Sequence, residues 1–209
     1  MEARNAFREA LKNYQEALTF TELLTKSPSR DLLELELRQS VVSMLQITGG
    51  YSNPKTIDAT EEAVALAEKS GNLQRLVSLT ISRCMSVLGS GNLPLTIALA
   101  DQAVNLALRG GTHGDLAFTH TIQIMARYRC GDLAGVERHF ADGLEFFGDP
   151  DFRQVPGMAV AAFGVGSYNA WTLGRAELAS ERQSQMMRIA ETPYDVAMSA
   201  QVAAQLLIY

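Results

Sequence analysis

A chain of 209 residues with a formal net charge of -5 and no basic run lacks the electrostatic footprint expected for binding nucleic acid or an anionic membrane surface. Only 7% of its residues are aromatic although 47% are hydrophobic, so Leu, Ala, Val, Ile and Met must fill the core, a composition that points to an all-α fold. No N-terminal apolar run suggests a signal peptide, and no uncharged stretch reaches the roughly 18 residues of a membrane span, so the chain reads as cytoplasmic.

The first expected helix covers residues 3–25, where Phe7, Leu11, Leu18, Phe20 and Leu24 recur at helical rather than alternating spacing. Ser27-Pro28-Ser29-Arg30 breaks the chain, Asp31 is placed to cap a helix over 31–47, and Gly49-Gly50 stops it. Pro54 opens a helix over 54–69 bearing Ile57, Val64 and Leu66, which Gly71-Asn72 ends. Residues 73–109 read as a helix, a Gly89-Ser90-Gly91-Asn92 turn and a second helix. After a glycine-rich loop at 110–114 come helices over 115–129 and 133–147. Residues 148–157, with Pro150 and Pro156, are the one long polar interruption. A small-residue helix reaching 173 and a partner over 176–191 follow, then Thr192-Pro193-Tyr194-Asp195 and a last helix ending at Tyr209.

These elements repeat. Gly91-Asn92-Leu93 is followed twelve residues on by Ala103, Gly131-Asp132-Leu133 by Gly143, and Gly174-Arg175-Ala176 by Met186. Ala17 and Ala63 take the same place earlier, so successive equivalents lie 46, 40, 40 and 43 residues apart, the signature of a solenoid of antiparallel helix hairpins. Ala10, Tyr14 and Ala17 in Phe-Arg-Glu-Ala-Leu-Lys-Asn-Tyr-Gln-Glu-Ala-Leu resemble the small, aromatic, small pattern of the second helix of a tetratricopeptide repeat, and Phe140 falls on the aromatic position again. Ala100 and Gln183 replace that aromatic, the period exceeds the usual value of about 34, and the Trp/Leu-Gly signature of the first helix is missing.

The chain therefore resembles the longer, degenerate repeats C-terminal to the ATPase module of bacterial multidomain regulators, including ATPase-linked adenylate cyclases and related transcriptional activators. Residues 32–50 and 157–209 resemble them most. That resemblance implies a right-handed α-solenoid forming a single helical-repeat domain over 1–209. Four hairpins are expected between a leading and a trailing half-repeat, as in a fragment of a larger protein. Apolar faces left bare at the two half-repeats imply self-association through the ends.

Catalytic chemistry is not indicated. The Gly-x-x-x-x-Gly-Lys-Ser/Thr loop is missing, and Gly164-Val165-Gly166-Ser167 lies inside a helical period with no strand before it, which suggests close helix packing instead. No two of His113, His120 and His139 have the i,i+4 spacing that would place two ligands on one helical face; the first is expected in a turn and the others at partly exposed positions. Glu61-Glu62 and Glu34/Glu36 read as solvated surface. Cys84 and Cys130, both in expected first helices, read as small apolar residues rather than a disulfide. Leu88, Tyr128 and Trp171 each stand three residues before a turn glycine, so Trp171 is expected between hairpins rather than as a ligand-stacking platform. We therefore expect no enzyme, no cofactor and no metal site.

On the first helices, Leu37/Val41/Met44/Leu45, Val77/Ile81/Cys84/Met85/Leu88 and Val160/Ser167/Tyr168/Trp171 recur at matching offsets from their turns and should pack between hairpins. The tetratricopeptide resemblance puts the neighbouring offsets on a concave face. These are Gln39, Ser43, Gln46, Ser82, Arg83, Ser86, Thr119, Gln123, Arg129, Asn169 and Thr172. Arg83 and Arg129 are the anchors expected for a carboxylate, because a guanidinium fork bonds it bidentately. Two functions fit this stripe: a regulatory scaffold for a protein or peptide, including other domains of the parent chain, or a small-molecule effector sensor. An enclosed pocket would favour the sensor.

Overall fold

The computed structural model describes residues 2–155 and 157–206, and side chains within that range except those of residues 2–4 and 206. Pro156 and the expected helix end at Tyr209 lie outside the described residues. Cap chemistry sets the helix boundaries. The side chains of Ser27, Asn53, Asn72 and Asp132 each accept a backbone N–H of the first turn that follows, satisfying donors that a helix start leaves open. Thr112 and Asp115 form a reciprocal capping box. At the other ends Gly91, Gly131 and Gly174 all adopt positive φ, 80°, 76° and 74°, a conformation that costs a residue with a Cβ but lets glycine reverse the chain.

Among the described residues the result is eleven helices and no strand: α1 Glu2–Thr21, α2 Pro28–Gly49, α3 Pro54–Ser70, α4 Leu73–Ser90, α5 Leu93–Gly110, α6 His113–Arg129, α7 Leu133–Gly143, α8 Pro150–Arg153, α9 Met158–Thr172, α10 Ala176–Ile189 and α11 Pro193–Leu206. They pack as sequential antiparallel hairpins, with α8 the one element the sequence reading lacked. Asp31 is not the cap of α2; Ser27 takes that place, because Pro28 starts the helix three residues earlier and leaves Asp31 in its first turn. α7 stops at Gly143, short of the expected 147, because Phe146 and Phe147 N–H groups both turn back to the Gly143 carbonyl at 2.9 and 3.1 Å.

The chain divides into two compact units, residues 1–99 and 100–209. In the first, α1 packs on α2, α2 on α3 and α3 on α4. Its core is Leu35, Val42, Ala63, Val64, Ala67 and Leu79. Leu35 and Val42 are more deeply buried than Leu37, Met44 and Leu45, which the turn offsets favoured. In the second, α6 pairs with α7 and α9 with α10, and α9 also packs on α6, α7 and α11. Its core holds Ile124, Val136, Met186 and four phenylalanines, 140, 147, 152 and 163. Phe152 explains α8: the Asp149 cap turns this one aromatic residue of the polar interruption inward, against the rings of Phe118 and Phe147 at 5.0 and 5.9 Å.

Small residues stand where helices approach. Ala63 and Ala103 have no exposed surface. A Cβ on Gly166 would lie 2.6 Å from the Phe140 ring, and one on Gly164 3.2 Å from Val202, so the Gly164–Gly166 stretch is a packing surface. Trp171, by contrast, is 39% exposed rather than core, while Leu88 is buried and Tyr128 half-buried. Cys84 is buried, and burial pushes its thiol up to about 12; Cys130 is exposed at the end of α6, not an apolar core residue, because the helix has already reached its cap there.

Gly166→Val should lower stability by about 1–3 kcal/mol through overpacking against Phe140, whereas Gly148→Ala, with open space around it, should be within about 0.5 kcal/mol of the parent; chemical denaturation of both decides it. A second expectation concerns Asp195. Burial alone would raise its pKa, but hydrogen bonds from the Thr192 N–H and hydroxyl and from Gly157 N–H outweigh that and hold it below the ordinary 3.8. A depressed native pKa stabilises above the unfolded value and the benefit is lost as pH falls through the native one. Asp195→Ala should therefore cost about 1–2 kcal/mol at pH 7, and the cost should shrink on acidification below 3.8.

Candidate functional site

Several polar side chains stand where helices meet and are engaged with one another. In the first unit Arg38 bridges Glu34 and Glu62 at 2.9 and 2.6 Å, and Arg75 reaches Gln39 and Glu36 at 2.7 and 3.2 Å. Arg83 Nε pairs with Glu61 at 2.7 Å. Gln39 and Ser43 line a solvent-open trough of about 460 Å³ with Tyr14, Glu36 and Arg75. Arg83 and Ser86 line a smaller cleft of about 80 Å³ beside Ile57 and Val87. Ser82 is half-buried and bonds the Ser78 carbonyl, while buried Ser86 donates to the Tyr51 carbonyl at 2.7 Å. Gln46 Nε2 is buried without a hydrogen-bond partner.

In the second unit the structure buries three of the expected stripe residues. Thr119, Gln123 and Asn169 each have no exposed surface. Gln123 joins Asp101 and Arg127 at 2.7 and 2.8 Å, and Arg127 also binds Asp101 and Asp132, both at 2.7 Å. The Arg127 hydrogen bond holds the Asp132 carboxyl below its ordinary range. Arg129 and Thr172 are exposed, the latter bonding the Tyr168 carbonyl. These residues thus divide between exposed helix edges and internal hydrogen bonds.

Two buried clusters stand out that spacing along one helix did not reveal. In one, Arg182 of α10 grips Glu137 of α7 bidentately at 2.7 and 2.8 Å, bonds the Gly166 carbonyl at 2.8 Å and lies 4.0 Å over the Phe140 ring. Asn169 adds a 2.7 Å bond to the same carboxylate. Burial would raise the Glu137 pKa, yet these bonds keep it below normal.

The other cluster corrects the reading of the histidines. His120 and His139 are buried, 5% and 9% exposed, and their Nδ1 atoms lie 3.3 Å apart. They meet because α6 and α7 form an antiparallel hairpin and Gly143 leaves no side chain between α7 and His120; a Cβ there would stand 3.0 Å from His120 Cβ. Exposed Asp142 completes the group, with one ligand atom of each residue within 4.8 Å of the others. Burial lowers both imidazole pKa values, that of His139 to about 4, so both rings are neutral at pH 7. The cluster opens on a cleft of about 480 Å³ that Val104, Leu108, Glu145 and Phe146 also line. His113 sits exposed in the first turn of α6.

Neither a protein-family model nor a curated protein sequence matches the chain. A solved structure does: a crystal structure of BtubC (BKLC) from P. vanneervenii matches with a TM-score of 0.65 and 13% identity, over 97% of this chain and 86% of that one. The fold is tetratricopeptide-like. At this identity the likeness concerns the fold alone. No helix of the described residues is long and apolar enough to cross a membrane.

Removing Arg182 would leave the half-buried Glu137 carboxylate with only Asn169 and the more distant Arg175, 3.7 Å away, to compensate it. Arg182→Ala should therefore lower stability by about 3 kcal/mol. Equilibrium urea unfolding at pH 7 measures it, and an unchanged midpoint would contradict this account of the cluster.

Proposed function

We propose that the chain is a non-catalytic, regulatory protein-interaction scaffold that receives an acidic segment of a protein partner on the exposed polar edges of its first helices. The observation that carries the reading is the array of antiparallel hairpins, tetratricopeptide-like along nearly the whole chain, since such arrays present long helical surfaces rather than a single enclosed site. Within each unit the candidate anchors are arginines. Arg83 keeps 36% of its side chain exposed and holds one carboxylate, Glu61, which an incoming acidic side chain can replace. Arg129 is exposed at the end of α6. Gln39, Ser43, Ser82 and Thr172 supply accessible hydrogen-bonding groups, whereas Ser86, Gln123 and Asn169 bond neighbouring segments and fix the helices that present them. The resemblance of residues 32–50 and 157–209 to repeats of ATPase-linked regulators supports a bacterial multidomain regulator as the setting, with another of its domains as the partner.

The test is capture of the parent regulator's isolated domains by the wild-type chain and by Arg83→Ala/Arg129→Ala. Affinity measured in the capture titration should fall at least about tenfold, equivalent to about 1.4 kcal/mol, with helicity and melting temperature unchanged. Equal recovery by a folded double variant would place the binding surface elsewhere.

A further inference from the structure

We propose that His120, His139 and Asp142 form a binding site for a divalent transition metal, best matched to Zn²⁺. The donor set is two imidazoles and a carboxylate, which suits zinc and its neighbours; Mg²⁺ and Ca²⁺ select oxygen ligands instead.

Geometry supplies the stronger reason. Zinc–nitrogen bonds of about 2.0–2.1 Å set the edge of a coordination tetrahedron at roughly 3.3–3.4 Å. The two Nδ1 atoms stand 3.3 Å apart. That separation is long for a hydrogen bond between neutral imidazoles and matches the tetrahedral edge. Both rings are fixed by their surroundings. They are buried, the His120 ring stacks on Phe146 with planes 13° apart, and Gly143 lets the backbone of α7 come close to His120. A metal therefore meets two donors whose ordering entropy folding has already covered.

Asp142 supplies the adjustable third ligand. It lies three residues after His139, one turn along the same helical face, and it is exposed, so its carboxylate can swing the remaining distance inward. His120, His139 and Asp142 share their cleft with Glu145, which leaves room for a water ligand or for Glu145 itself in a fourth position. Bound there, the ion ties α7 to α6 in the second unit.

The experiment uses the untagged full chain, stripped with chelator and titrated with Zn²⁺ by calorimetry, then with Co²⁺ by visible spectroscopy. One ion per chain should bind, raise the melting temperature, and give Co²⁺ the intense visible bands of tetrahedral coordination. Asp142→Asn, on an exposed side chain, should keep the fold and weaken Zn²⁺ binding at least about tenfold. His139→Gln should abolish binding, and His113→Gln, which removes the exposed histidine outside the cluster, should leave it unchanged. Stoichiometric binding that a folded Asp142→Asn retains in full, or no binding by the wild-type chain, would overturn the site. Should His139→Gln fail to fold, the Asp142→Asn affinity and the Co²⁺ spectrum still decide.

Discussion

Close approach of helix backbones at small residues governs the packing in both units. A hairpin array with few aromatics cannot fill wide gaps between helices, so the helices must come near, and only Gly or Ala permits that. Ala63, Gly143, Gly164 and Gly166 mark the approaches. Half of the eight phenylalanines gather in one core. Phe140, Phe147, Phe152 and Phe163 cluster in the second unit, where the ring of Phe140 lies against Gly166 on one side and under the Arg182 guanidinium on another.

Such tight packing makes the buried polar groups costly unless they satisfy one another, and the structure meets this condition with small networks. Glu137 receives Arg182 and Asn169; Gln123 and Arg127 share Asp101; Asp195 ties its own cap to the start of α9 through Gly157. Each network joins different helices, so it opposes slippage of one helix past another, which a uniformly Leu/Ala interface would allow. A few atoms remain unmatched, including Arg182 Nε and Asn169 Oδ1, both within the cluster around Glu137.

The helices were legible because period, caps and turn glycines agree along the chain. Glycines 91, 131 and 174 were placed by spacing and share one backbone conformation in the structure. The side of each helix was less legible. α2 is buried on two faces, so offsets from the turn could not separate Leu35 and Val42, which face the α3 partner, from Val41. α6 is buried nearly all round, which is why Thr119 and Gln123, polar by composition, are internal. Phe152 gave no period to detect, standing with only Val155 among polar residues and prolines. The histidine pair was hidden by the choice of ruler: i,i+4 spacing tests one helix, whereas His120 and His139 belong to two. A signal did exist, since their midpoint falls beside the Cys130-Gly131-Asp132 turn and an antiparallel hairpin brings such residues level.

That symmetry extends beyond one hairpin. His120 stands eleven residues before its turn glycine and His139 eight after it; the same offsets give Thr80 and Leu99 around Gly91, and Phe163 and Arg182 around Gly174. All six are buried. The repeat therefore fixes a pair of interior positions in these three hairpins while leaving their chemistry free: a hydroxyl and an aliphatic chain in one, two imidazoles in the next, a ring and a paired guanidinium in the third. Because backbone geometry is held by the turn glycines and small crossing residues, exchanging what occupies these positions alters the local chemistry without requiring a different fold. Degenerate sequence with regular structure is the expected outcome of that division, and it locates specific chemistry in the positions where the hairpins differ rather than in the pattern they share.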